Sequence, residues 1–324
     1  MIKIGYINNK LNNSIIECEL ISPPQWEELD YFINKGYDLF LIDNELDQEQ
    51  AKVNYRGSTI AAEIRARLPD CPIVLIIHEP VSSQFMRICD ELIRHDQDLN
   101  QTQQLLISLV DGFHALRNIS SKTWQPLLEC LGVNQEEADL LREAAPPLQQ
   151  SEWVVAEAAY WIRNVVLKFP GFLYNPIYAA TRLGISLDSF QNDNVQEIIE
   201  PARYTGIFTP SEGRWWKGRL FSVAKELAID EGVTGPINQA FAHAFHKRYN
   251  IELSPSICVW DGMPIADWVC YILHQPVKLK HSLRYYPDSR PSVMEHARVS
   301  FRAIRESNAF EEEQGNIEDF IKFP

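Results

Sequence analysis

The chain has 324 residues, of which 45% are hydrophobic and 23% are charged, and its formal net charge is −14. This length is enough for two or three domains with separate cores, and the acidic balance argues against non-specific nucleic-acid binding, which needs a broad positive surface. No apolar run approaches the roughly 18 residues that span a bilayer, and the six cysteines form no CxxC pair or small-domain disulfide framework. We therefore expect a cytoplasmic protein that acts with other proteins or with small molecules.

The N-terminal third alternates between strand-like and helix-like patterns. Strands are predicted at 2–7, 14–21, 39–43 and 72–77, and helices after Pro24 and at 58–68, 81–94 and 101–119. The strands at 39–43 and 72–77 are unbroken apolar runs, which is typical of strands covered on both faces. Strands that alternate with helices predict an α/β fold with a parallel sheet.

The third predicted strand ends in Asp43, at the sheet edge where open α/β folds bind their ligands. YDLFLID (37–43), Gly57 at the head of a helix, and LPDCPIVLII (68–77) together resemble the receiver domain of two-component response regulators. The resemblance covers residues 1–118. It implies a flavodoxin-like parallel sheet, and it places Asp43 at the position of the aspartate that accepts a phosphoryl group.

The same segment departs from the receiver pattern around Asp43. Receivers carry two acidic residues after the first strand to hold Mg²⁺, whereas this chain has Asn8-Asn9, and neutral amides bind Mg²⁺ poorly. The expected switch hydroxyl is replaced by Ile77 followed by His78, and Arg94 is the nearest cation to a missing lysine. We expect a pseudo-receiver that serves as a docking platform, with a retained phosphoryl switch as the alternative.

Residues 119–230 are predicted to form a mainly helical domain, and 151–221 resemble a winged helix-turn-helix. In PIYAATRLGISLDSF, Gly184 suits a left-handed turn and Ser186 can cap a second helix over 187–201. The segment 203–221 is expected to form two strands around a turn, as a wing. A receiver followed by such a unit is typical of DNA-binding response regulators.

The charge of the predicted second helix disfavours DNA. It carries four carboxylates and no lysine or arginine, and phosphates would repel it. The predicted wing does carry cations beside aromatic rings. Its candidate residues for partner or anion binding are Arg214, Trp215, Trp216 and Lys217.

Residues 231–324 are expected to form an α+β extension that contains one basic segment at 278–305. A helix predicted at 291–308 would place three arginines in one stripe, at Arg298, Arg302 and Arg305. This stripe fits a clamp for an acidic partner or a phosphate, or a solvated face without a ligand.

A metal site is the remaining candidate. His243 and His246 lie three residues apart on a predicted helix and would need a partner among Cys258, Asp261 and His274. Phe241, Ala242, Ala244 and Phe245 in the same segment indicate mainly a packed helix, which we favour over a metal site. We find no phosphate-binding glycine loop and no nucleophile elbow, so the sequence predicts no cofactor.

The predicted domains are therefore 1–118, 119–230 and 231–324. We expect a non-catalytic regulatory or adaptor protein that binds other proteins within a multi-protein signalling or defence complex. The alternatives are a DNA-binding transcription factor of the response-regulator type, and a metal-dependent enzyme with a site within 243–274.

Overall fold

A computed structural model describes residues 2–8, 18–46, 53–78, 88–95, 99–145, 148–149, 152–168, 171–285 and 295–306. The chain divides into two compact units. The first comprises Met1–Leu131, Pro147–Ile162 and Gly206–Ser211, and the second comprises Gly132–Pro146, Arg163–Thr205 and Glu212–Pro324. The three-domain division stays a prediction.

The first unit is built on a parallel five-stranded sheet. Its strands are β1 Ile4–Ile7, β2 Glu19–Ile21, β3 Leu39–Asp43, β4 Ile73–Ile77 and β5 Glu91–Arg94. Their order across the sheet is β2-β1-β3-β4-β5, which is the flavodoxin-like order of doubly wound folds. All residues of β1, β3 and β4 are buried. The predicted receiver-like α/β fold is confirmed.

Helices and short strands make up the rest of the described chain. The helices are α1 Leu29–Ile33, α2 Gly57–Arg67, α3 Leu99–Asn118, α4 Trp124–Leu131, α5 Gln135–Ala144, α6 Val155–Trp161, α7 Pro176–Arg182, α8 Leu187–Phe190, α9 Asp193–Ile199, α10 Lys217–Asp230, α11 Ile237–Tyr249 and α12 Phe301–Glu306. The remaining strands are β6 Leu173–Tyr174, β7 Trp215–Trp216, β8 Trp268–Val269, β9 Pro276–Val277, β10 Ser282–Tyr285 and β11 Ala297–Ser300. No described helix has both the length and the apolar character needed to cross a membrane.

The fifth strand of the sheet differs from the prediction. A helix was expected over 81–94, but Glu91–Arg94 forms β5 and pairs in parallel with β4. Residues 81–87 lie outside the described part of the chain. The apolar pair Leu92 and Ile93 fits either element, because periodicity cannot distinguish a short strand from a helix.

The core of the second unit surrounds α7, α10 and α11, and the segment predicted as a wing forms only part of the expected pairing here. Trp215 and Trp216 form β7, which pairs antiparallel with β6. Trp215 also forms an isolated antiparallel bridge with Arg203, but α10 begins directly at Lys217 and ends any second strand of a wing there. The segment after Trp216 is a helix rather than a strand because helical spacing buries its apolar residues: Leu220, Ala224 and Leu227 lie on one buried face of α10. The winged-helix resemblance is therefore not confirmed.

The turn between α7 and α8 agrees with the sequence analysis. Gly184 has a φ of +79°, and the Ser186 hydroxyl accepts a hydrogen bond from the Ser189 backbone N–H. The predicted helix over 187–201 is instead two short helices, α8 and α9. Asn192 interrupts it, because its side chain caps α9 by accepting the Asn194 N–H at 3.0 Å.

The C-terminal arginine stripe is also corrected. The described part of the predicted helix 291–308 contains strand β11 and the six-residue helix α12. Ala297 and Val299 are buried with the two-residue period of a strand, and β11 pairs antiparallel with β10. Arg298 therefore lies on a strand, while Arg302 and Arg305 lie on α12.

Candidate functional site

Asp43 lies at the carboxyl end of β3, at the edge of the sheet where the family resemblance predicts the phosphate-accepting position. The residue is only 7% exposed. Its Oδ1 accepts a hydrogen bond of 2.9 Å from the Glu45 backbone N–H. Local backbone and burial therefore already restrict access to this carboxylate.

The neighbouring strand β1 contributes a phenol and an amide. The Asn8 side-chain NH₂ donates to the Tyr6 hydroxyl at 2.6 Å. Burial raises the pKa of Tyr6 to about 12, and the charge of Asp43 adds to this effect. Tyr6 is consequently neutral at physiological pH. Asn9, the second predicted substitute for an acidic residue, lies outside the described part of the chain.

Strands β4 and β5 lead into two histidines beside the same carboxylate. His78 Nε2 lies 3.5 Å from Asp43 Oδ1, so a protonated His78 would form an ion pair with Asp43. The ring of His78 stacks on that of His95 with 4.6 Å between centroids. His78 directly follows Ile77, the last residue of β4, and Arg94 is exposed at the end of β5.

The first residues of α2 pack directly against the backbone of Asp43 and Asn44. The Asn44 side-chain oxygen accepts the Ser58 N–H at 3.1 Å, and Gly57 N–H donates to the Asn44 carbonyl at 3.0 Å. A Cβ at Gly57 would lie 2.1 Å from the Asp43 carbonyl oxygen. Glycine is therefore required for α2 to start this close to β3.

The described side chains around Asp43 do not form a magnesium site. Mg²⁺ is held by carboxylates with waters and phosphate oxygens, whereas the described side chains that act on the Asp43 carboxylate are the imidazole of His78 and the phenol of Tyr6. In the described ranges, no group of three potential ligands includes Asp43. Sequence reasoning identified Asn8 and His78 but missed Tyr6 and His95, which only strand register brings to this edge.

The predicted partner-binding tryptophans of the second unit lie in its interior. Trp215 and Trp216 are 3% and 2% exposed. Trp215 packs edge-on against Phe190 with centroids 4.9 Å apart, and Trp216 packs against Tyr204 at 5.8 Å. Arg214 is buried beside them and pairs with Glu212. Their predicted use in partner binding stays a prediction, and their observed contacts are those of a core.

Lys217 belongs to a buried ionic cluster centred on Glu295. This carboxylate accepts a hydrogen bond from the Tyr174 hydroxyl and lies 3.4 Å from Lys217 Nζ and 3.5 Å from Arg182 Nη2. Burial raises the pKa of Tyr174 well above its usual value, and the charge of Glu295 reinforces this. Tyr174 is thus a neutral donor, and Lys217 is engaged within the unit.

A cleft of about 560 Å³ opens beside this cluster, at the start of α10. Its charged lining includes Lys217 and Arg219, but each is matched by a carboxylate. The Arg219 guanidinium donates to both oxygens of Glu137, at 2.8 and 2.5 Å. Because glutamates outnumber cations in the lining, the cleft does not fit a nucleic-acid phosphate.

The three arginines of the C-terminal segment have different surroundings. Arg298 donates to the Ser282 hydroxyl and carbonyl at 2.7 and 2.6 Å. Arg302 and Arg305 are exposed on α12, where Arg302 pairs with Glu306 and Arg305 lies 4.6 Å from the centroid of the Trp260 ring. Only this pair of the three remains accessible to a partner.

His243 and His246 are both exposed on α11. Within the described residues, neither histidine belongs to a group of three potential metal ligands. Their metal-binding role stays a prediction that no neighbouring donor supports.

No protein-family profile and no curated protein matches this chain. A response regulator receiver domain protein (CheY-like) from Methanospirillum hungatei is similar, with 13% identity and a TM-score of 0.30 over 35% of this chain and 97% of that chain. NtrX from Brucella abortus in complex with ATP has 12% identity and a TM-score of 0.31, over 80% of this chain and 74% of that chain. At these values the likenesses carry no argument about function, and the fold assignment rests on strand order.

Proposed function

We propose that this chain is a response-regulator-like adaptor whose receiver-like unit works without phosphorylation of Asp43. The observation that supports this most directly is the setting of the Asp43 carboxylate in the described part of the chain, where His78 lies beside it and Asn8, bonded to Tyr6, stands where a receiver has an acidic residue. Phosphoryl transfer relies on a Mg²⁺ ion that neutralises the charge of the phosphoryl group, and a neutral amide and an imidazole beside the carboxylate hold that cation poorly.

Incubation with acetyl phosphate and Mg²⁺ should leave Asp43 unmodified. The expected result is an intact-mass spectrum identical to that of the Asp43→Asn variant, with a functional receiver domain phosphorylated in parallel as the control. A phosphoryl adduct on the natural chain that is absent from Asp43→Asn would contradict the proposal.

The adaptor role further requires a surface for a second protein. Arg302 and Arg305 are exposed on one short helix, and they fit a partner with an acidic segment. By contrast, the cations of the predicted wing are engaged within the unit: Arg214 pairs with Glu212, and Lys217 pairs with Glu295. This distribution favours a protein partner on α12 over DNA on a wing.

Reversing the charge of Arg302 and Arg305 together should weaken partner capture from the native host. Exposed charge pairs contribute up to about 1 kcal/mol each, so we expect a loss of roughly five- to thirtyfold in affinity for the double variant. Arg142→Glu, which changes an exposed arginine of the same unit, is the matched control. The captured proteins are compared by quantitative mass spectrometry.

A different result would favour the transcription-factor alternative. Salt-sensitive binding of duplex DNA by the natural chain, lost in the same double variant, would contradict the adaptor proposal. Equal capture of the partner by the double variant and by Arg142→Glu would exclude α12 as the docking surface.

A further inference from the structure

A thiol, a carboxylate and an imidazole converge in the second unit. Cys258, Asp261 and His281 each offer one donor atom, and these three atoms lie within 4.8 Å of one another. Cys258 is 1% exposed, whereas the Asp261 and His281 side chains are partly accessible, at 24% and 17%. The group is thus closed on its sulfur side and open on its oxygen and nitrogen side.

The chain brings Cys258 and Asp261 together through a tight turn. Cys258 N–H donates to the Met263 carbonyl at 3.0 Å, and Gly262 N–H donates to the Cys258 carbonyl at 2.9 Å. Gly262 has a φ of +66°, which favours glycine at this position. A C-x₂-D-G sequence on such a turn presents two ligand-forming side chains to one point, as two-residue spacings do in zinc sites.

The third donor comes from a second turn. His281 ends the 3₁₀ turn Leu279–His281, and its N–H donates to the Lys278 carbonyl at 2.9 Å. The Lys278 backbone N–H donates to Cys258 Sγ at 3.4 Å, so this segment is held against the sulfur. A backbone donor aimed at sulfur also stabilises a thiolate.

The distances between donor atoms match a tetrahedral zinc site. Zinc bonds of about 2.3 Å to sulfur, 2.0 Å to nitrogen and 2.1 Å to oxygen, at tetrahedral angles, place sulfur and nitrogen about 3.6 Å apart and nitrogen and oxygen about 3.4 Å apart. The observed separations are 3.6 Å for Cys258 Sγ to His281 Nδ1 and 3.5 Å for His281 Nδ1 to Asp261 Oδ2.

The same atoms exclude a nucleophilic triad. A triad needs its imidazole to use one nitrogen for the nucleophile and the other for the carboxylate. Here Nδ1 of His281 is the atom nearest to both Cys258 Sγ and Asp261 Oδ2. The three donor atoms therefore face one common point, as ligands do around a metal ion. They do not form the chain of nucleophile, imidazole and carboxylate that a triad requires.

We propose that Cys258 Sγ, Asp261 Oδ2 and His281 Nδ1 bind one Zn²⁺, with water as the fourth ligand. The thiolate disfavours Mg²⁺ and Ca²⁺, which select oxygen ligands, and the thiolate and carboxylate together neutralise the two charges of zinc. Lys278 Nζ lies 3.3 Å from Asp261 Oδ2 and forms an ion pair with it when no zinc is bound. In the proposed complex the zinc ion replaces this ammonium group, which moves into solvent. The site is independent of the proposed adaptor function.

Zinc content and cobalt spectroscopy on the full chain test the proposal. We expect about one zinc per chain after saturation and gel filtration, and a cobalt complex with thiolate charge-transfer and tetrahedral d–d bands. Cys258→Ser and His281→Gln should each weaken zinc binding by at least about tenfold. His243→Gln, which alters an exposed histidine of the same unit, should bind zinc like the natural chain.

Each variant is checked by far-ultraviolet circular dichroism, so that loss of metal is separated from loss of folding. Lys278→Met removes the competing ammonium and should bind zinc more tightly. Unchanged or weaker binding in Lys278→Met would overturn Asp261 Oδ2 as a ligand. Substoichiometric zinc in the natural chain, or equal affinity in folded Cys258→Ser and His281→Gln, would overturn the site itself.

Discussion

Replacing Gly184 with alanine should destabilise the second unit by about 4 kcal/mol or more, the range of severe single substitutions. Two effects at this position each lower the free energy of unfolding, and their contributions add. The φ of +79° is left-handed and costs a residue with a Cβ about 1–2 kcal/mol. The added Cβ would also lie 1.7 Å from the Asn238 carbonyl oxygen, which belongs to α11. Relief requires that α7 and α11 move apart, and this opens the core between them.

Gly232→Ala separates these two costs. Gly232 also has a left-handed φ, of +61°, but a Cβ there would meet nothing within 4 Å. We expect about 1 kcal/mol of destabilisation in this control, from backbone conformation alone. Urea unfolding of both variants, followed by tryptophan fluorescence, measures the difference. Equal midpoints would show that α11 yields to the added methyl group, contrary to our expectation.

Glu295→Gln should cost about 3–5 kcal/mol, because it leaves a buried cation without its anion. Arg182 is held between the rings of Trp268 and Phe221, with its guanidinium carbon 4.7 and 5.4 Å from their centroids, and its side chain is only 19% exposed, so water replaces the lost carboxylate poorly. The glutamate side chain is only 7% exposed, so its charge is weakly screened. Calorimetric unfolding of the variant measures the loss.

Two further variants define the cause of that loss. Glu200→Gln removes a carboxylate that is 59% exposed and pairs with Arg203 at 3.4 Å, and it should cost less than about 1 kcal/mol. Combining Arg182→Met with Glu295→Gln should cost less than the sum of the two single changes, since both partners of the buried pair are then absent. Additive costs would show that Glu295 stabilises the unit without Arg182.

Local patterns were enough to predict four of the five strands of the receiver-like sheet, but not β5. The apolar runs that became β3 and β4 are buried on both faces, and their ends place Asp43 and His78 at one edge. The left-handed turn at Gly184 and the cap at Ser186 were equally readable, because turns and caps depend on residues only a few positions apart. The sequence also shows Asn8 where the receiver pattern has an acidic residue, and the structure adds the hydrogen bond from Asn8 to the Tyr6 hydroxyl.

Local patterns could not predict the environment of side chains that suit either a core or a surface, or either a helix or a strand. Trp215 and Trp216 lie between Arg214 and Lys217 in the sequence and suggested an exposed wing, but both rings are buried: Trp215 joins the core built by α7, α10 and α11, and Trp216 packs against Tyr204. Arg298 shared helical spacing with Arg302, although pairing with β10 places it on a strand. The fate of such residues depends on partners far away in the chain.

The sequence by itself determined the α/β character of the N-terminal unit and the position of Asp43 at the end of a buried strand. These features depend on periodicity and turn chemistry within short segments. Only the tertiary structure decided that Glu295 neutralises Arg182, and that Cys258 and Asp261 meet His281 rather than His243. Those contacts join residues on separate turns and strands, because packing, and not spacing along the chain, brings their charges and donor atoms together.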